Sequence, residues 1–161
     1  MKQLKVLFFS LLLLTGCSMA KENNKEDKWF NSEQEAIEDG IKYENITKND
    51  ILDKINLNGE KVIVFRFSES DGKGICIAYI NHKNNKYQWY RDLNYVILKS
   101  DNPNIGNLNA STEFKTPKGE SYKLYIGVAD KSNFKLKTDI GHKVTPNIDE
   151  KTGMYYYIMS E

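Results

Sequence analysis

The sequence is poor in the residues that most often carry chemistry or covalent staples: 161 residues hold two cysteines, two histidines and three prolines. His82 lies in Asn81-His82-Lys83-Asn84-Asn85 and His142 in Gly141-His142-Lys143, both turn-like. With no His-x-x-x-His spacing and no Cys pair, a zinc centre has no support, and no metal or cofactor is expected. No nucleophile-elbow glycine pattern supports a Ser-His-Asp triad, and Gly72-Lys73-Gly74 is too short for a phosphate loop. Charge of one sign is lacking too. Lys and Arg total 23 against 22 Asp and Glu, so the net basic face that phosphate backbones need is absent and nucleic acid is not an expected partner.

Long hydrophobic runs are also missing, with one short exception. Met1-Lys2-Gln3-Leu4-Lys5 places two positive charges ahead of an apolar stretch, Val6 to Leu14, in the order of an export signal. At ~1.5 Å per residue it makes about 14 Å of helix, half the ~30 Å hydrocarbon core, too short to span a membrane. It ends in Leu14-Thr15-Gly16-Cys17. These four residues resemble the lipobox of bacterial lipoproteins, and the chain is similar to small lipoproteins of single-membrane, Gram-positive bacteria. The resemblance implies a diacylglyceryl group on the Cys17 sulfur, cleavage between Gly16 and Cys17, and an outward-facing, membrane-anchored mature protein. Two acyl chains suffice for stable anchoring where one is marginal.

Loss of residues 1–16 removes Lys2 and Lys5 and turns a formal excess of one base into an excess of one acid. With Cys17 committed to lipid, Cys76 has no partner for a disulfide. It sits in the apolar run Gly74-Ile75-Cys76-Ile77-Ala78-Tyr79-Ile80, where a thiol behaves as a small core hydrophobe. Residues 17–28 carry mixed charge and no apolar period, and read as a flexible tether.

The body is expected to be α+β and mostly antiparallel. Ser32 and Glu35 form a capping box for a helix to about Glu44, with Ala36, Ile37, Gly40 and Ile41 as its apolar stripe. A turn at Thr47 to Asp50 leads to strands. Ile51, Ile55 and Leu57 share one parity, Asn58-Gly59 is a hairpin signal, and Lys61 to Phe67, apolar on both faces, belongs in the middle of a sheet. Turns at Ser70-Asp71-Gly72 and Asn81 to Asn85 complete a meander that the helix covers. The segment 29–99 thus forms one unit, and the loop from Ser100 to Asn109 is the candidate boundary.

Residues 108–161 read as an all-β hairpin unit able to share that core. Tyr122, Leu124, Ile126 and Val128 alternate as a strand with one buried face. Phe134, Leu136 and Thr138 alternate next, and Met154 to Met159 is the last strand. Several short strands at about ten-residue spacing suit a small sandwich or rolled sheet. That spacing is similar to immunoglobulin-like modules of cell-surface lipoproteins, without their paired cysteines and central Trp.

Functionally, the reading is a non-catalytic binding or accessory module of the cell envelope. Its partners would be the membrane, through Cys17, and an envelope protein or glycan. Trp89, Tyr90 and Tyr95 are the candidate binding residues, because aromatics on a strand can stack on sugars or peptides. The alternatives are an inhibitor or immunity-type lipoprotein that binds a protein partner, and a cell-wall-active enzyme. The acidic pairs Glu69/Asp71 and Asp149/Glu150 lie in expected turns, where exposure denies them general-acid duty.

Overall fold

A computed structural model describes residues 28–70, 72–91, 95–98, 109–129 and 133–161. The expected leader with Gly16 and Cys17, the expected tether up to residue 27, and the expected loop Ser100 to Asn109 except for Asn109 itself, which opens a strand, lie outside the described residues.

Helix α1 (Glu33–Tyr43) starts where the capping residues place it. Ser32 Oγ accepts from the Glu35 N–H at 3.2 Å, and Glu35 in return accepts from the Asn31 N–H at 3.1 Å. Ala36, Ile37, Gly40 and Ile41 are its buried stripe. Thr47 and Asp50 then close a short 3-10 turn through two bonds of 2.9 and 2.6 Å.

The first sheet is an antiparallel meander of β1 (Ile51–Leu57), β2 (Glu60–Glu69), β3 (Gly72–Lys83) and β4 (Lys86–Tyr90), with β5 (Val96–Leu98) paired to the early part of β3. β2 is central and buried on both faces. Asn58-Gly59 turns the first hairpin with φ of 48° and 85°. The third hairpin differs from expectation: β3 runs on to Lys83 and only Asn84 and Asn85 turn, at φ 50° and 57°. Asparagine tolerates this left-handed backbone, so two residues suffice where five were expected. The shared parity of Ile51 with Ile55 and Leu57 also fails. Pairing slips between Ile51 and Asp53, and this bulge sends Ile51 to the helix side while Leu52, Ile55 and Leu57 face the opposite way.

The second sheet, in the order β10-β11-β7-β6, comprises β6 (Asn109–Lys115), β7 (Ser121–Val128), β10 (Asn147–Ile148) and β11 (Met154–Ser160). A two-stranded ladder, β8 (Leu136–Lys137) with β9 (Lys143–Val144), lies outside it.

The sheets face each other across the main core. Val62, Val64, Ile75, Ile77, Tyr79 and Leu98 from one meet Phe114, Tyr122, Leu124, Ile126, Met154 and Tyr156 from the other. Both halves of the sequence therefore build one core. The first sheet's other face buries Ile63, Phe65, Phe67, Cys76, Ala78, Ile80 and Trp89 against Ile37 and Ile41 of α1. The second sheet's other face buries Tyr125 and Tyr155 against Leu136, with Phe134, Val144 and Ile148 around them. β7 is thus buried on both faces rather than one, because the β8–β9 segment folds over its outer side. The molecule stacks four layers: helix, sheet, sheet and hairpin.

Candidate functional site

The fold divides the three aromatic candidates. Trp89 is 1% exposed, with its ring 5.7 Å from Phe65 and its indole N–H donating to Glu44 Oε1 at 3.3 Å. It lies directly under Gly40, where an added Cβ would come 2.0 Å from the ring. Trp89 is a core residue and offers no binding surface: its side shares the register of Ile80, which α1 covers. Tyr90 points to the other face, 6.2 Å from Tyr79. Tyr95 stands edge-on to Phe67 at 5.4 Å, with Arg91 over its ring at 5.8 Å. Tyr90 and Tyr95 are both exposed, but on opposite faces of one sheet they make no common patch.

Cys76 is fully buried. Burial pushes its thiol up to about 11, reinforced by the charge of Glu44 and opposed by Arg91, whose guanidinium bonds Glu44 at 2.7 Å. At neutral pH the thiol is protonated and not a nucleophile. His82 is a strand residue of β3 rather than part of a turn, stacked on Tyr87 with 4.5 Å between centroids.

Asp149 is not an exposed turn acid. Arg66 and Thr152 each bond its Oδ2 at 2.5 Å, and Arg66 also reaches Asp50 at 3.2 Å and the Asn49 carbonyl at 2.9 Å. Burial pushes the Asp149 carboxyl up, but Thr152 and Arg66 outweigh it and hold it below the usual range. Asp50 behaves likewise, with Thr47 and Arg66 opposing burial. Together with a 2.5 Å bond from the Tyr156 hydroxyl to Asp53, this network ties the outer edge of the first sheet to the second. Its groups are paired internally, which is a structural use. Among the described residues no cluster of three potential metal ligands occurs, and no helix is long and apolar enough to cross a membrane.

A concavity lies at the end of the sandwich where residue 29 enters the fold. The β3–β4 hairpin projects past the start of β2, because Lys61 pairs with Ile80 and three further residues of β3 extend beyond. In the corner sits an open cleft of about 950 Å³. Trp29 and the Tyr87–His82 ring pair line it, with Lys83 on the projecting hairpin and Pro117 and Lys118 on the β6–β7 turn. The Phe30 and Tyr87 backbones bond reciprocally at 2.7 and 2.9 Å, which fixes Trp29 at the rim, 37% exposed.

Two kinds of lysine line this cleft. Lys61 is bound to Glu33. Among the described residues, Lys83 and Lys118 have no carboxylate within ion-pair distance; Lys118 Nζ reaches only the Asn58 carbonyl, at 3.4 Å. Glu60, nine-tenths buried, accepts from the Lys118 N–H at 3.1 Å through Oε1, while among the described residues no donor reaches its buried Oε2. None of Trp29, Glu60, Lys83 and Lys118 was singled out from sequence as a binding residue. No local pattern links positions so far apart; the only cue was the start of the fold at Trp29-Phe30. Compared with protein-family models, curated proteins and solved structures, the chain matches none of them.

Proposed function

We propose that this protein is an extracytoplasmic lipoprotein, held on the membrane by lipid at Cys17, and that its folded body is a non-catalytic binding module of the cell envelope. The placement is carried by one observation, the succession of Lys2 and Lys5, the apolar run Val6 to Leu14, and Leu14-Thr15-Gly16-Cys17. A diacylated cysteine holds a protein at the bilayer, where a single chain would not. The buried, protonated Cys76 and the internally paired acids around Arg66 are consistent with a body whose polar groups serve structure. The open cleft is the surface such a module would use.

Fractionation of cells expressing Cys17→Ser tests the anchor, together with mass spectrometry of the native protein. The expected result is release of the variant from membranes and a wild-type N-terminus at Cys17 bearing acyl chains. An unmodified thiol or an intact leader on the native protein would overturn the reading.

A further inference from the structure

We infer that the cleft beside Trp29 binds a saccharide carrying an acidic group, with the sugar ring on the aromatic rim and the acid between Lys83 and Lys118. This deepens the binding-module reading and rests on it, but not on the anchor. Its parts come from four separate places in the chain and converge on one cavity. Trp29 offers an exposed indole fixed by the neighbouring Phe30–Tyr87 bridge, while the Tyr87–His82 pair lines the cleft from the opposite face of the hairpin to Lys83. Flat aromatic faces beside polar groups suit the C–H face of a sugar ring, which is apolar on its flat side and hydroxylated at its edge.

The charges specify the rest. Lys83 extends from the tip of the projecting hairpin and Lys118 from the facing turn, and neither has an acidic partner among the described residues, whereas Lys61 in the same lining is already neutralised by Glu33. Two unpaired ammonium groups across one cleft favour an anion. Asn56 and Asn81, also in the lining, carry amides suited to hydroxyl recognition. A simple polyanion would use the lysines and leave Trp29 and the amides idle. An acidic saccharide uses all of them.

The test is a titration of the full chain, purified in detergent, followed by tryptophan emission. Trp29 is the exposed indole and Trp89 the buried one, so a ligand in the cleft alters the Trp29 signal. Four probes separate the possibilities: hyaluronan hexasaccharide for a carboxylate sugar, N-acetylglucosamine 1-phosphate for a phosphate sugar, neutral chitohexaose, and tripolyphosphate. Saturable binding of either acidic sugar, at least about tenfold tighter than chitohexaose and weakened by salt, is expected, and which of the two binds names the acid. Trp29→Ala and the double variant Lys83→Gln/Lys118→Gln should each weaken it about tenfold or more with circular dichroism unchanged, calorimetry replacing emission for the Trp29 variant. No saturable response to either acidic sugar overturns the inference. So does tripolyphosphate binding as tightly as the sugars and indifferently to Trp29→Ala. Because this readout is independent of Cys17, its failure leaves the anchor experiment untouched, and failure of the anchor leaves the cleft untouched.

Discussion

Each of the two sheets has an outer face to hide, and the chain hides them by different means. The first is covered by the 11-residue helix α1, whose Gly40 lets the backbone settle directly on the Trp89 ring. The second is covered by the segment 133–145, whose regular structure amounts to the two-residue strands β8 and β9. The helix satisfies its own backbone and needs only an apolar stripe to dock. The hairpin layer depends on side-chain clips, among them Asp139 with Lys123 and Tyr125, and Lys135 with Thr145. One cover is held by close packing, the other by polar ties around a smaller apolar cluster.

Breaking the packed cover should have the largest effect. Trp89→Ala removes a fully buried indole and should lower unfolding stability by about 3–5 kcal/mol, measured by urea denaturation; a loss under 1 kcal/mol would mean that the helix does not depend on this contact. Gly40→Ala probes the same contact from above. In an open helix this change would stabilise, but here the new methyl meets the Trp89 ring, and a net loss of about 1–3 kcal/mol is expected.

Between the two covers lies the tie across the sandwich edge. Arg66→Ala should cost about 1–3 kcal/mol at neutral pH, since it leaves Asp149 and Asp50 without their cation. Both carboxyls are held below their ordinary value of 3.8 in the folded protein. Their contribution is therefore complete above that value and lost as pH falls through the lower folded values. The acid limb of the stability profile should be shallower in the variant than in the wild type, and parallel limbs would refute this.

The polar clip of the second cover should respond to acid in its own way. Bonds from Lys123 and Tyr125 hold Asp139 down at about 2, so β8 and β9 should lose amide protection between pH 4 and 2. Lys123→Ala should weaken that step. The smallest effect is expected inside the same layer. Among the described residues the buried Tyr155 hydroxyl has no partner, so Tyr155→Phe should be neutral or stabilising, within about 1 kcal/mol. A loss above 2 kcal/mol would reveal a partner for that hydroxyl.

The contrast also explains which layers were legible. α1 announces itself through Ser32, Glu35 and a stripe at helical spacing, all local signals, and the meander through Asn58-Gly59 and the apolar β2. The outer hairpin does not. Leu136 and Val144 are single buried or half-buried positions in strands too short to show alternation, and Tyr125 reads as solvent-facing until another segment is known to cover it. The bulge at Leu52 is invisible for the same reason, because register is set by pairing with β2 rather than by β1 itself. Among the aromatics, alternation puts Trp89 and Tyr90 on opposite sides of their strand, but parity cannot say which face the helix occupies. The cleft was the least legible feature, since its walls come from positions 29, 60, 83 and 118.

The sequence alone determined what depends on neighbours along the chain: the capped helix, the tight asparagine turns, the apolar runs that had to be strands, and the order of charges, apolar run and Leu14-Thr15-Gly16-Cys17 at the start. Tertiary structure alone decided which faces are covered and which polar groups go unpaired. Burial belongs to pairs of surfaces meeting across the fold, so an aromatic or a lysine carries no mark of its environment until the distant segment that packs on it, or leaves it open, is in place.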